Sequence, residues 1–120
     1  MSSHRVLVAD PISEHGVTLL NDHPDITADF IPDLGSHPDK LMDIIGNYDA
    51  LIVRSQTKPN AEVIARASRL RAIGRAGVGV DNIDREAASA HGVIVMNTPT
   101  GNTVSTAEHA FALMLSLIHI

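Results

Sequence analysis

Five short apolar runs recur along the chain, at residues 6–9, 26–31, 50–53, 71–73 and 93–96. Four of them are almost continuously apolar, as strands covered on both faces are. The run 26–31 is more mixed and suits an edge strand. The pattern therefore predicts five strands, four of them covered on both faces of the sheet.

Helix signals stand between these runs. Asn60 is placed to cap a helix over residues 61–67, and Asp84 to cap one over residues 85–91 that stops at Gly92. Each stretch is long enough for two or three turns, so both connections are predicted to be helical.

The two earlier connections carry similar signals. Ser13 can cap a helix that buries Val17 and Leu20, and Pro38 suits the first turn of a helix that Gly46 stops. Strands that alternate with helices in this way predict parallel β/α units with right-handed crossovers. We therefore expect an α/β fold: a flavodoxin-like, doubly wound, five-stranded parallel sheet with order 2-1-3-4-5 and helices on both faces.

The last part of the chain predicts a different kind of helix. Ser105-Thr106-Ala107-Glu108 has the spacing of a capping box, and the run 110–115 that follows is apolar almost all round. A helix of that kind needs cover on more than one side. We therefore expect further protein beyond residue 120.

The composition argues against several classes of function. A net charge of -5, one Tyr, two Phe and no Trp argue against a nucleic-acid surface. Without cysteine the chain has neither disulfides nor thiolate zinc sites, and its histidines lack metal-ligand spacing. Neither a secretory signal nor an apolar stretch long enough to span a bilayer is evident. We expect a cytoplasmic protein with no metal, nucleic-acid or membrane partner.

Two arginines follow neighbouring strands of the predicted sheet. Arg54 comes directly after the third apolar run and Arg75 comes two residues after the fourth. Ligands of doubly wound sheets bind beyond the carboxyl ends of the strands, where guanidinium groups suit carboxylate and phosphate oxygens. This predicts a site for a small anion. The alternative is that both arginines pair with carboxylates such as Asp10 or Asp81, and position alone does not decide between them.

The glycines beside Arg75 do not form a dinucleotide-binding loop. Gly77-Val78-Gly79 begins like one, but Asn82 stands where a third glycine is required. Glu108 and His109 are adjacent on a predicted helix, so their side chains diverge and do not form an acid–base pair. No catalytic residue is predicted in this chain.

The longer motifs resemble the NAD-dependent D-2-hydroxyacid dehydrogenase family, and within it the D-3-phosphoglycerate branch. They lie at residues 51–55, 73–84, 95–99, 101–103 and 107–109. The resemblance implies a two-domain oxidoreductase that acts on the CH–OH group of a D-2-hydroxyacid, here 3-phospho-D-glycerate, in serine biosynthesis. Residues 1–101 would belong to the substrate domain and residues 102–120 would begin the helix leading to a Rossmann NAD-binding domain. The family's catalytic Arg, Glu and His, and its glycine-rich loop, come from segments outside this chain.

The resemblance also implies roles for individual residues and for the whole protein. Substrate contacts are expected at Arg54, Ser55, Arg75, Gly77 and Asn102. The cofactor NAD, bound mainly by the other domain, is expected to approach Val78 and Thr106; Val78 can offer only apolar or backbone contact. The substrate is a small anionic 2-hydroxy or 2-oxo acid, and the full-length protein is expected to form a homo-oligomer.

Two other functions fit a chain of this size. A signalling receiver domain has the same topology, but it needs an acidic cluster after the first strand and an acceptor aspartate after the third. The chain has only Asp10 at the first place and Arg54 at the second, which reverses the charge needed to hold Mg²⁺. A free-standing module that binds small anions stays open as the other alternative.

Overall fold

The five predicted strands form one all-parallel sheet. The computed structural model describes residues 4–10, 18, 21–22, 26–54, 56–76 and 82–98. The strands are His4–Val8 (β1), Ile26–Phe30 (β2), Ala50–Val53 (β3), Ala72–Ala76 (β4) and Ile94–Thr98 (β5). Their order is β2-β1-β3-β4-β5, which confirms the doubly wound topology and the edge position of the more mixed strand.

Three helices in the described residues connect these strands. They are Pro38–Ile44 (α1), Ala61–Arg66 (α2) and Arg85–Ala90 (α3), with short 3₁₀ turns at Leu34–Ser36 and Ile45–Asn47. Most of the helix expected after Ser13, and the whole of the one expected after Ser105, lie outside the described residues. Within the described residues, no helix is both long and apolar enough to cross a lipid bilayer.

The two helix caps expected near the middle of the chain are present. The side chain of Asn60 accepts a hydrogen bond from the backbone N–H of Val63, and that of Asp84 accepts one from Ala87, both at 3.0 Å. Gly92 follows α3 with φ of 72°, the left-handed conformation that favours glycine at a helix end. Local sequence chemistry thus accounts for where α2 and α3 begin and where α3 gives way to β5.

Gly46 does not stop a helix, so that expectation was wrong. Helix α1 ends at Ile44 and continues into the 3₁₀ turn Ile45–Asn47, with Gly46 inside it. A Cβ atom at Gly46 would lie 3.1 Å from the carbonyl oxygen of Arg66. The glycine therefore serves a close approach between this turn and the end of α2.

Strands β4 and β5 extend beyond the apolar runs that predicted them. Arg75 was expected in a loop after the fourth strand, but it lies within β4, where it is in register with Val53 of β3 and Asn97 of β5. Backbone pairing on both sides continues the strand although the residues become small and polar. The consequence is that Arg75 is held by the sheet itself.

The sheet packs a core on each face. Alternate residues of the central strands point to opposite sides, so that Leu7, Leu51 and Ile73 pack with the helices on one face while Val6, Val8 and Ile52 lie on the other. Each of these six side chains is fully buried. A rigid sheet of this kind fixes the residues at its carboxyl ends, which is where the arginines are found.

Candidate functional site

The structure places Arg54 and Arg75 together at the carboxyl edge of the sheet. Arg54 directly follows the last residue of β3, and Arg75 is in register with that residue, Val53. The Nε atom of Arg75 donates a hydrogen bond to the carbonyl oxygen of Arg54 at 3.3 Å. The side chain of Arg54 is exposed and that of Arg75 is partly exposed. Two cationic groups therefore share one accessible edge, as the sequence predicted.

A buried carboxylate holds the backbone from which Arg54 projects. Asp10, fully buried just after β1, accepts a hydrogen bond at Oδ2 from the backbone N–H of Arg54 at 2.7 Å. It also accepts from the backbone N–H of Thr57, at 3.0 Å and 3.1 Å to its two oxygens, and from the Thr57 hydroxyl. Charge-assisted bonds of this kind are roughly twice as strong as neutral ones. Asp10 therefore fixes both ends of a short segment, residues 54, 56 and 57, which we name the Arg54 segment.

Asn82 binds the backbone carbonyl groups of the same segment. Its Nδ2 group donates to the carbonyl oxygens of Arg54, at 2.8 Å, and Thr57, at 2.7 Å. An amide nitrogen carries two hydrogens, so both donors are used, and the orientation of the amide is thereby set. Its Oδ1 atom is shielded from solvent and accepts no hydrogen bond within the described part of the chain.

A third contact is made by Gly35 with Gln56, in the middle of the Arg54 segment. Gly35, in the 3₁₀ turn Leu34–Ser36, lies so near Gln56 that a Cβ atom would come within 2.9 Å of the backbone carbon of Gln56. Real Cβ atoms essentially never approach that closely. Only glycine at position 35 allows this turn to pack against the segment as it does.

The hydrogen bonds of Asp10 bear on the alternative that the arginines merely pair with carboxylates. Asp10 meets Arg54 through the backbone N–H, so these bonds position the main chain. The other carboxylate considered, Asp81, lies outside the described residues. So do Ser55, Gly77, Val78, Asn102 and Thr106, and their expected roles stay predictions.

Asp10, Asn82 and Gly35 were not identified as site residues from the sequence. Their partners stand 21 to 47 residues away along the chain, so no local motif joins them. One signal was available: an aspartate directly after a buried strand has no place in an apolar core unless several donors surround it. Among the described residues no cluster of three His, Asp, Glu or Cys side chains could hold a metal ion.

A second polar cluster lies on the helix-covered face, beside edge strand β2. Asp29 accepts hydrogen bonds from the Tyr48 hydroxyl at 2.7 Å and from Nη2 of Arg5 at 2.8 Å, and Arg5 also lies 4.7 Å above the centre of the Tyr48 ring. Burial, and then the bond to Asp29, raise the pKa of Tyr48 to about 12. The Tyr48 hydroxyl is also the main reason that the pKa of Asp29 is lowered.

The sequence matches one protein family over most of its length. The family is described as D-isomer specific 2-hydroxyacid dehydrogenase, catalytic domain, and the match covers residues 6–116. It therefore includes every element of the sheet except the first two residues of β1.

Curated relatives agree with this match. The chain is 49% identical over 112 residues to D-3-phosphoglycerate dehydrogenase of Archaeoglobus fulgidus, an alignment that covers 93% of this chain and 21% of the relative. It is 46% identical over 114 residues to the protein of the same name from Bacillus subtilis, covering 95% and 21%. The chain thus spans about a fifth of the length of these relatives.

Solved structures share the fold. The TT0316 protein of Thermus thermophilus superposes with a TM-score of 0.72 at 29% identity, covering 79% of this chain and 30% of that one. The NAD⁺-bound 3-phosphoglycerate dehydrogenase of Entamoeba histolytica gives a TM-score of 0.67 at 28% identity, covering 81% and 33%. In both comparisons the similarity is to about a third of the larger protein.

Proposed function

This chain belongs to the family of D-isomer specific 2-hydroxyacid dehydrogenases, and from this premise we propose that its protein is an NAD-dependent oxidoreductase. The proposed reaction oxidises 3-phospho-D-glycerate to 3-phosphohydroxypyruvate, the first step of serine biosynthesis. The names of the curated relatives support this substrate, and the NAD⁺-bound structure of a similar protein supports the cofactor. We also expect the protein to act in the cytoplasm as a homo-oligomer.

The chain would supply the substrate side of such an enzyme. In the proposed division, residues 1–101 are part of the substrate domain and residues 102–120 begin the helix that leads to an NAD-binding domain. The glycine pattern supports this division, since Gly77 and Gly79 are followed by Asn82 and do not complete a dinucleotide-binding loop. Most of the contacts that bind the cofactor are therefore expected elsewhere in the protein.

The observation that carries the proposal is the pair of arginines at one edge of the sheet. Arg54 directly follows β3, Arg75 lies in the neighbouring strand β4, and the two are joined through the bond from Arg75 Nε to the Arg54 carbonyl. Guanidinium groups bind carboxylate and phosphate oxygens through forked, charge-assisted hydrogen bonds. The proposed substrate carries both kinds of anion, so two cationic contacts at the sheet edge suit it.

The remaining expected contacts complete the proposed site. Ser55, Gly77 and Asn102 are proposed to lie close to the substrate, and Val78 and Thr106 to approach the cofactor from this domain. NAD, when bound, supplies the carbon that accepts a hydride. The residues of this chain contribute by binding the anionic substrate and orienting it, since no catalytic acid or base is expected among them.

Steady-state kinetics on the full-length protein test this proposal. We expect NADH to form with 3-phosphoglycerate and NAD, and D-glycerate, which lacks the phosphate, to be a much poorer substrate. The 120-residue chain on its own should show no turnover, because its sequence contains neither the glycine-rich loop nor the family's catalytic residues. A full-length protein that is folded but inactive with 3-phosphoglycerate would refute the proposed substrate. Turnover by the isolated chain would refute the proposed division of the protein.

A further inference from the structure

The position of the Arg54 guanidinium depends on a backbone segment with no regular secondary structure. Arg54 is the first residue after β3, and the residues of the Arg54 segment (54, 56 and 57) lie in neither a strand nor a helix before α2 begins at Ala61. Loops of this kind normally shift more easily than strands. A site that binds a small anion with defined geometry therefore needs something to hold this segment in place.

We propose that Asp10, Gly35 and Asn82 are positioning residues that set the distance and direction of Arg54 relative to Arg75. None of the three needs to touch the substrate. They act through the Arg54 segment, and the proposal rests on the proposed function, in which the two arginines bind the anionic groups of the substrate.

Asp10 holds the segment from the side of β1. Its carboxylate binds the N–H of Arg54 itself, one bond from the carbon that bears the side chain, and it binds both the N–H and the hydroxyl of Thr57. Asp10 is fully buried, so an alternative partner for these donors is not at hand. Loss of the carboxylate would leave the two N–H groups without their acceptor, and the segment would move to satisfy them.

Asn82 links the segment to Arg75. The carbonyl oxygen of Arg54 accepts one hydrogen bond from Nδ2 of Asn82 at 2.8 Å and another from Nε of Arg75 at 3.3 Å. Because one atom receives both donors, a shift of the Arg54 carbonyl changes the position of Arg75 as well as that of Arg54. The spacing of the arginines is thus tied to this oxygen.

Gly35 limits movement of the segment towards the 3₁₀ turn Leu34–Ser36. A methyl group at this position would come within 2.9 Å of both the backbone carbon and the Cβ of Gln56. Backbone atoms cannot yield as the end of a flexible side chain can. Alanine at position 35 is therefore expected to displace Gln56, and with it the rest of the Arg54 segment.

The chain offers a matched control for each residue. Asp49 is also a buried carboxylate that accepts a backbone N–H, but it lies at the amino end of the sheet. Asn21 also binds backbone N–H and carbonyl groups, those of Ala28 in edge strand β2. Gly46 is also a glycine with a tight neighbour, the carbonyl of Arg66. Substitution of these residues should lower stability without moving the Arg54 segment.

The experiment measures KM for 3-phosphoglycerate and for NAD, together with Tm, in the full-length protein. The test variants are Asp10→Asn, Asn82→Ala and Gly35→Ala, and the controls are Asp49→Asn, Asn21→Ala and Gly46→Ala. A misplacement of about 1 Å costs up to about two orders of magnitude in rate, and these variants are expected to move the segment by less. We therefore expect about a tenfold rise in KM for 3-phosphoglycerate in the test variants, with KM for NAD unchanged. The controls should lower Tm and leave both constants near those of the unsubstituted protein.

Three results separate the outcomes. If test and control variants with similar losses of Tm show the same KM for 3-phosphoglycerate, the three residues are only structural and the inference is wrong. If Asp10→Asn does not fold, Thr57→Val decides the case, because it removes only the hydroxyl that donates to Asp10; an unchanged KM there would also refute the inference. If the unsubstituted protein does not use 3-phosphoglycerate, the proposed function fails first, and the same comparison is then made on the dissociation constant for inorganic phosphate.

Discussion

At the amino end of the sheet, buried Asp49 accepts a hydrogen bond from the backbone N–H of Arg5 at 2.8 Å and forms an ion pair with Arg69 at 3.3 Å. At the carboxyl end, buried Asp10 accepts from backbone N–H groups and a hydroxyl. The two aspartates are 8% and 0% exposed, so both depend on their partners to offset burial of a charge. The buried carboxylate at the amino end is thus paired with an arginine side chain. Within the described part of the chain, the one at the carboxyl end accepts hydrogen bonds from neutral backbone and hydroxyl groups.

The proposed function gives the two ends of the sheet different roles, stability at the amino end and substrate binding at the carboxyl end. Arg5 pairs with Asp29 across strands β1 and β2, and Arg69 pairs with Asp49, the residue before β3. Arg54 and Arg75 stand where doubly wound sheets bind their ligands. Arginines at the two ends of the sheet should therefore differ in what their loss does, and substitutions at both ends test that comparison directly.

The largest expected effect is kinetic and belongs to the carboxyl end. Arg54→Ala or Arg75→Ala in the full-length protein should lower kcat/KM for 3-phosphoglycerate by about one to two orders of magnitude, since each removes the charge-assisted hydrogen bonds proposed to hold the substrate. The defect should lie mainly in KM if the contacts are equally strong in the ground and transition states. Arg→Lys should restore only part of the loss, because an ammonium group cannot form a forked pair.

Arg69→Ala is the matched change at the amino end. It removes the ion pair with Asp49, whose arginine side is about half exposed, so we expect a loss of stability of about 1 kcal/mol or less and unchanged kinetics. Steady-state kinetics and thermal unfolding on the same set of variants decide the comparison. Normal kinetics with a lowered Tm in the Arg54 and Arg75 variants would show that these residues are scaffolding.

The elements of the fold were predictable where local chemistry decides them. Apolar runs identified all five strands, four of them nearly continuous and one mixed. Asn60 and Asp84, whose side chains accept a hydrogen bond from a backbone N–H in the first turn, identified the starts of α2 and α3. The ends of β4 and β5 were missed, because Arg75 and Asn97 continue their strands through pairing with residues far away in the sequence. Gly46 was misread for the same reason, since its neighbour is Arg66 of another helix.

The residues of the candidate site were likewise predictable from the sequence only in part. The locations of Arg54 and Arg75 followed from counting strand ends, which a sequence displays. The residues that hold the Arg54 segment could not be found in this way, because Asp10 reaches it across 44 residues and Asn82 across 28. A sequence shows which residues stand at an edge of a sheet; which of them pack against each other depends on the crossovers between strands.

The next largest effect concerns Tyr48 and appears at alkaline pH. The pKa of Tyr48 is about 12 in the folded protein, against 10.0 for an ordinary tyrosine, so folding favours the protonated hydroxyl. The resulting stability is fully present below about pH 10 and is lost as the pH rises from about 10 to about 12, where the unfolded chain releases the proton first. Urea unfolding across this range should show the loss in the unsubstituted protein and a smaller one in Tyr48→Phe. An equal loss in both would remove Tyr48 from the explanation.

The smallest expected effect is the acid counterpart of the same cluster. The Tyr48 hydroxyl and then Arg5 lower the pKa of Asp29 below its ordinary value near 4, so folding favours the carboxylate. The sign is therefore reversed: the stability is present above about pH 4 and is lost as the pH falls through the lowered value. The side chain of Asp29 is 34% exposed, so solvent screens the pair and we expect a contribution of less than about 1 kcal/mol.

Urea unfolding between about pH 2 and 6 should show a weaker acid dependence in Asp29→Asn than in the unsubstituted protein, with Tyr48→Phe between them because it removes the larger of the two causes. If Tyr48→Phe keeps the full acid dependence while Asp29→Asn loses it, Arg5 alone stabilises the carboxylate, and the arginine contacts near the amino end of the sheet account for the whole effect.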